Sequence, residues 1–113
     1  MSAFKTKNTH SSERVQDLLI NAVETVSDYW CSNINQIHEG DIYDIDNPDW
    51  KWEVTEDESG KVYTITRDSL KSGLKAFKKI VPHHFRAWEA EDDDGETADC
   101  FFQCVVLGDV IYG

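Results

Sequence analysis

Residues 50–67 read WKWEVTEDESGKVYTITR, and this stretch decides the fold class. Large apolar side chains alternate with polar ones on both sides of a polar link that ends in Gly60. Alternation with a period of two is typical of a strand with one buried face, and a short polar link with a glycine joins two such strands. The stretch therefore predicts an antiparallel hairpin with strands at 50–55 and 61–66.

Helical patterns lie on both sides of the hairpin. Apolar residues at spacings of three and four predict helices over 12–31 and 67–81. The apolar run over 97–107 fits either a buried helix or a buried strand. A third helix is favoured, because Thr97 with Asp99 in the first turn suits a helix N-terminus. Pro82 favours a short additional helix at 83–90. An isolated hairpin is only marginally stable, so one of its faces should pack on these helices.

The length of 113 residues suits one domain. We expect a small single α+β domain over 11–113, with three main helices packed against the antiparallel β-hairpin. Residues 1–10 are polar and are expected to form a flexible N-terminal arm. The predicted core consists of the largest apolar side chains on the inward faces: Leu18, Leu19, Val23, Val26, Trp30, Leu74, Phe77, Phe101 and Val105.

Several local features lead to more specific expectations. Ile34 and Ile37 either extend the first helix or form a short turn. Gly73 lies beside the buried face of the second helix, where a missing side chain permits close approach of another element. Thr97 is expected to cap the third helix, and the tail at 109–113 is expected to form a last short strand.

Acidic residues outnumber basic ones by 22 to 11, which gives a net charge of −11. Phosphate contacts need a cationic surface, so direct binding of nucleic acid through bulk charge is not expected. An acidic protein attracts basic surfaces instead. No run approaches the roughly 20 apolar residues of a membrane helix, no secretory signal is evident, and the three cysteines show no disulfide spacing. A cytoplasmic protein with reduced thiols is the expectation.

The acidic residues are concentrated in two stretches. Residues 41–60 hold eight acids beside Lys51, and residues 89–113 hold eight acids and no base. Carboxylates arrayed on a surface imitate part of the phosphate array of DNA, which carries one charge per about 1.7 Å of axis. The predicted partner-binding residues are Asp41, Asp44, Asp46, Asp49, Glu91, Asp92, Asp93, Asp94 and Glu96.

A basic stretch separates the two acidic ones. Residues 61–88 hold seven bases and only Asp68. Four lysines recur at helical spacing opposite the apolar face of the second helix: Lys71, Lys75, Lys78 and Lys79. This stripe is either a solvated face or a secondary basic contact surface.

Sequence patterns for catalysis or metal binding fail on inspection. An EF-hand alignment that places Gly95 at the sixth position puts Ala90 and Phe101 where the first and last ligands belong. The cysteines and histidines lack zinc-site spacing, and no cysteine has a recognised catalytic context. No catalytic residue, metal or cofactor is predicted, and we do not expect an enzyme.

The C-terminal third, AEDDDGETADCFFQCVVLGDVIYG, and the upstream TRDSLKSGL resemble a family of small uncharacterised acidic proteins borne by phages and prophages. The matching features are the acidic run Glu91–Asp94, the triplet Thr97-Ala98-Asp99, Phe101 to Gln103, and the ending Gly108 to Gly113. The resemblance implies a mobile genetic element in a bacterium. It transfers no activity and no functional residue.

Charge and resemblance together favour a phage-encoded inhibitor in the cytoplasm of the bacterial host cell. It would occlude a basic surface of a nucleic-acid-handling defence complex, as an anti-CRISPR or anti-restriction protein does, and one mode is mimicry of DNA. An immunity-type protein that neutralises a basic toxin is an alternative. An adaptor that contacts nucleic acid through the lysine stripe is another. The expected partner is a basic protein surface, without direct nucleic-acid or membrane binding, and a homodimer is compatible with the sequence.

Overall fold

Four helices and a three-stranded antiparallel sheet form the fold over residues 11–92 and 94–112, which are the residues that this computed structural model describes. The predicted α+β class is confirmed. The arm predicted at 1–10 lies outside the described residues. The elements in chain order are α1 (Ser12–Asn21), β1 (Asn33–Gln36), β2 (Lys51–Thr55), β3 (Val62–Thr66), α2 (Arg67–Ile80), α3 (Pro82–Glu89) and α4 (Gly95–Leu107).

The predicted hairpin is present as β2 and β3, and Trp52 lies opposite Ile65. β1 pairs antiparallel with the other side of β2, where Gln36 lies opposite Trp52, so β2 is the central strand. Trp52, Val54 and Ile65 are buried on the inner face of the sheet. The alternation seen in the sequence therefore corresponds to one face packed on the helices.

The first predicted helix, 12–31, is wrong in its second half. Regular α-helix ends at Asn21 and continues as a π-helical turn over Ala22–Val26 and a 3-10 turn over Ser27–Tyr29. The hydroxyl of Thr25 donates to the backbone carbonyl of Asn21, a contact that bends helices. The residues after Thr25 also contact a buried carboxylate on α4, which a straight helix would not allow.

Two further local predictions are wrong. Ile34 belongs to strand β1 rather than to an extended helix or a turn. The tail at 109–112 forms no strand. Ile34 pairs with a residue of β2 that is distant in the chain, and the tail is held by the side chain of Gln103 on α4 instead of by a strand.

Helix α4 is the centre of the domain. Every residue from Thr97 to Val106 is buried, as expected for a helix covered by other elements on all sides. It begins earlier than predicted, because Asp94 rather than Thr97 is the N-cap and accepts a hydrogen bond from the Thr97 N–H at 3.0 Å. Its end at Gly108 has the left-handed conformation common at helix C-termini.

The predicted core is largely confirmed. Leu18, Leu19, Trp30, Leu74, Phe77, Phe101 and Val105 are buried, and Val23 is half-buried against them. The side chain of Val26 lies outside the described residues. The sequence pattern missed Trp50 and Trp52, which are 1% and 0% exposed and donate their indole N–H groups to the Ile42 carbonyl. Among the described residues, no helix combines the length and apolarity that a bilayer span requires.

Gly73 allows α2 and α4 to pack closely, as predicted. A Cβ atom at this position would lie 2.5 Å from Cγ2 of Val105 and 2.6 Å from its Cα. We predict that Gly73→Ala lowers the free energy of unfolding by about 1–3 kcal/mol, because backbone must shift to relieve the overlap. Urea denaturation against Ser72→Ala, an exposed neighbour on the same helix, measures this difference. Equal stability of the two variants would contradict the close approach.

Candidate acidic interface around helix α1

The first half of α1 contacts the loop of the first acidic stretch and, through Arg14, the residue that precedes the second. On one side, the Ser12 hydroxyl donates to Asp46 at 3.1 Å, and the Gln16 amide donates to the Tyr43 carbonyl. On the other side, the Arg14 guanidinium donates to the Trp88 carbonyl and lies 4.9 Å from the centre of its ring. These contacts span about 6 Å of helix axis, given a rise of about 1.5 Å per residue.

An open groove of about 440 Å³ lies beside the contact between Ser12 and Asp46. Its walls come from α1 and from the loop before β2, and four of its seven lining side chains are carboxylates. The lining residues are Ser12, Glu13, Gln16, Asp17, Asp44, Ile45 and Asp46. We give the name acidic interface to this groove together with six exposed carboxylates: Asp41, Asp49, Glu91, Asp92, Asp94 and Glu96.

The first acidic stretch contributes four of its eight carboxylates to this interface. Asp44 and Asp46 line the groove. Asp41 and Asp49 are exposed in the same loop. The Asp41 carboxylate also accepts the backbone N–H of Tyr43 at 2.8 Å, so it helps to shape the loop.

Of the predicted residues in the second stretch, Glu91, Asp92 and Asp94 lie in the turn between α3 and α4, and Glu96 lies in the first turn of α4. Glu91, Asp92, Asp94 and Glu96 are exposed, and Asp93 lies outside the described residues. Hydrogen bonding from the Thr97 N–H lowers the pKa of Asp94, because a donated hydrogen bond stabilises the ionised form. Asp94 therefore has a structural role as a helix cap in addition to any role in binding.

Sequence reasoning missed the contribution of α1 to the acidic interface. Glu13 and Asp17 line the groove, although in the sequence they read as ordinary solvated positions of an amphipathic helix. The signal was the helical spacing that places both on one outward face. The missing information was the contact between α1 and a loop about 30 residues away.

The basic stripe lies on a different element, α2. Its four lysines are all exposed, whereas Leu70, Leu74 and Phe77 on the opposite side are buried. Lys78 lies 5.5 Å from the ring centre of Phe85, so its stem also covers part of α3. The separation of the stripe from its apolar face agrees with the helical spacing, and its role as a contact surface stays a prediction.

The three thiols of the chain lie in the interior of the domain. Cys31, Cys100 and Cys104 are buried free thiols, and burial raises their pKa to about 12, 11 and 12. The Cys31 thiol donates to the Ser27 carbonyl, and the His84 ring contacts the Thr97 hydroxyl at 2.8 Å. Within residues 11–92 and 94–112, no three histidine, cysteine or carboxylate side chains converge as metal ligands would.

A buried carboxylate that the sequence pattern places only in the first turn of the third helix accepts several hydrogen bonds. Asp99 on α4 is 5% exposed. Its oxygens accept hydrogen bonds from the Ser27 hydroxyl, the Tyr29 hydroxyl, the Trp30 indole and the Gln103 amide, at 2.7–2.9 Å. Four donors satisfy a buried carboxylate without a cation. This arrangement is typical of a structural cluster, because it leaves little capacity for a substrate.

Gln103 connects this cluster to the C-terminal tail. Its carbonyl oxygen accepts the backbone N–H groups of Ile111 and Tyr112, both at 2.8 Å, and its amide donates to the Tyr112 carbonyl. The Tyr112 ring stacks on Trp30 with 11° between the planes, and its hydroxyl donates to Glu56. The side chain of Gln103 thus makes the hydrogen bonds to the backbone of the tail that a neighbouring strand would otherwise make.

Comparison with protein-family models, with curated proteins and with solved structures gives no significant match. The resemblance to phage-borne proteins stays a prediction. Several residues that carry this resemblance belong to the cluster that holds the tail: Asp99, Gln103 and the ending from Gly108. Others, in the acidic run that begins at Glu91, belong to the acidic interface.

We predict that Asp99→Asn lowers the free energy of unfolding by about 3 kcal/mol, since its neutral amide has one acceptor oxygen for four donors. Amide hydrogen exchange at Ile111 and Tyr112 should accelerate more than exchange in β2. The control is Asp28→Asn, which removes the same charge at an exposed site. If both variants unfold alike and the tail amides are unaffected, the cluster does not hold the tail.

The buried thiols predict a loss of stability at alkaline pH. Their pKa in the folded state lies above the ordinary value of 9, so the folded protein holds protons that the unfolded chain releases. The contribution of the thiols to stability should therefore be fully present below pH 9 and fall as the pH rises toward 11–12. Urea unfolding at a series of pH values measures the fall, and Cys31→Ala should reduce it between pH 9 and 10. A flat profile in that window would contradict the burial of the thiols.

Proposed function

We propose that this protein is an inhibitor that binds a basic protein surface of a bacterial nucleic-acid-handling defence complex through the acidic interface. The observation that supports the proposal is the groove between α1 and the loop before β2, where four carboxylates from two separate parts of the chain line one surface. Contacts from Ser12 and Gln16 hold the loop against α1. Arg14 contacts Trp88, which directly precedes the second acidic stretch.

The charges support a protein partner over a nucleic acid. A molecule with a net charge of −11 repels phosphates. A groove that normally receives nucleic acid is cationic, and carboxylates held on a rigid surface replace the phosphates there without needing base-specific contacts. Inhibition then follows from occupation of the groove. The protein does not have to perform any chemistry, which agrees with buried thiols and a fully hydrogen-bonded Asp99.

An immunity-type protein that neutralises a basic toxin would use the same acidic interface. The difference lies in the partner, because a toxin is a single secreted or injected enzyme and a defence complex is part of the host cell. Capture from a bacterial extract distinguishes the two hypotheses. The defence complex is present in such an extract, whereas the toxin is absent until it is added.

In the test, the wild type and two charge-matched variants are immobilised, and each is exposed to a bacterial extract. The site variant carries Asp44→Lys, Asp49→Lys and Asp92→Lys, and the control carries the same reversals at three exposed acids outside the acidic interface: Asp28, Glu58 and Asp68. We expect the wild type and the control to retain a nucleic-acid-binding protein that the site variant loses, with affinity reduced at least about tenfold. Capture by the wild type should weaken as salt rises, because exposed charges are screened.

Two outcomes would overturn the proposal. Equal capture by both variants would mean that net charge, not the acidic interface, drives binding. Capture that is insensitive to salt and to both sets of reversals would mean that another surface binds. If a partner is retained, its nuclease or DNA-binding activity should fall when purified wild-type protein is added, and the site variant should not have this effect.

A further inference from the structure

Strand β1 is an edge strand without the features that usually protect an edge. Among the described residues it pairs only with β2. Monomeric proteins commonly cover edges with charged side chains, prolines or bulges. The sequence of β1 is NINQ, which has no charge and no proline, and its register with β2 runs from Asn33 to Gln36 without a bulge.

The charge distribution also singles out this strand. The chain has 33 charged side chains, from 22 acids and 11 bases in 113 residues, yet residues 29–38 include no Asp, Glu, Lys or Arg. Two copies with a net charge of −11 repel each other across most of their surfaces. The edge of β1 adds no charged side chain of its own to this repulsion when a second copy approaches.

The direction of the backbone groups defines how a second copy would fit. The Ile37 N–H donates to the Lys51 carbonyl, and hydrogen-bonded positions alternate along an antiparallel strand. Asn33 and Asn35 therefore direct their backbone groups toward β2. The N–H and C=O groups of Ile34 and Gln36 point toward the open edge.

We propose that a second copy of this chain pairs antiparallel with β1 across a twofold axis at Asn35. Ile34 of each copy then forms a hydrogen-bonded pair with Gln36 of the other, and the two three-stranded sheets join into one of six strands. The two Asn35 residues lie opposite each other on the outer face. An amide side chain both donates and accepts, so Asn35 is complementary to itself.

β3 is a less suitable edge for this pairing. It leads directly into α2, and both α2 and α4 pack against it. Lys61 precedes it and lies over the ring of Tyr63, which places a charge at its start. The two edges of the sheet therefore differ, and they can be tested separately.

The sheet provides a matched pair of variants. Asn35 and Thr64 are exposed and lie on either side of Glu53 in one cross-strand row. Asn35→Glu and Thr64→Glu each add a carboxylate beside Glu53, so their effects within one molecule are alike. Only Asn35→Glu places two new carboxylates opposite each other across the proposed axis, where like charges are destabilising.

Sedimentation equilibrium of the full-length chain over a range of concentrations gives the dimer dissociation constant. We expect the wild type and Thr64→Glu to dimerise alike and Asn35→Glu to weaken the dimer at least about tenfold. Hydrogen exchange at the Ile34 and Gln36 amides should slow as protein concentration rises. Circular dichroism confirms that both variants are folded.

Salt separates this dimer from association of the lysine stripe with the acidic interface. Pairing between like-charged copies strengthens as added salt screens their repulsion, whereas contact between opposite charges weakens. A wild type that stays monomeric at every concentration and salt would overturn the proposal, and the edge would then be open to an extended segment of another protein. Disruption by Thr64→Glu alone, or by both variants equally, would also overturn it. None of these results depends on whether the acidic interface binds a partner.

Discussion

The carboxylate of Asp99 is the polar group on which the arrangement of the chain depends. It lies inside the domain and accepts hydrogen bonds from the turn after α1 and from Gln103 one helical turn further along α4. Through Gln103 and Tyr112 the same cluster reaches the tail and the turn between β2 and β3. A buried charge is tolerated only when its hydrogen bonds are satisfied. That requirement brings these distant segments to one point.

This requirement explains why the first helix is irregular. Ser27, Tyr29 and Trp30 all contact Asp99 with their side chains, and a straight α-helix places residues 27 and 29 on different faces. The π-helical and 3-10 turns bring them to one side. Wide helical turns of this type are uncommon and persist where surrounding contacts stabilise them.

The buried helix α4 determines both how the apolar groups pack and where the charged groups lie. Because α4 is buried along most of its length, α1, α2 and the sheet surround it, and their charged faces point outward. Acids of the loop before β2 and of α1 line one groove, while the lysines lie on α2. The acidic interface and the basic stripe are therefore separate surfaces of one small domain.

The hairpin and the approximate positions of α2, α3 and α4 could be predicted from the sequence, because periodicity and end signals are local. The acidic stretches were equally visible. Three features could not be predicted. Strand β1 and the turns after Asn21 depend on partners more than ten residues away in the chain. The position of the tail depends on hydrogen bonds from its backbone to the side chain of Gln103. The sequence alone thus determined which segments are helix or hairpin and which are acidic. Only the tertiary structure decided which acidic groups share a surface and which strand edge is open, because both depend on long-range contacts with α1 and β2.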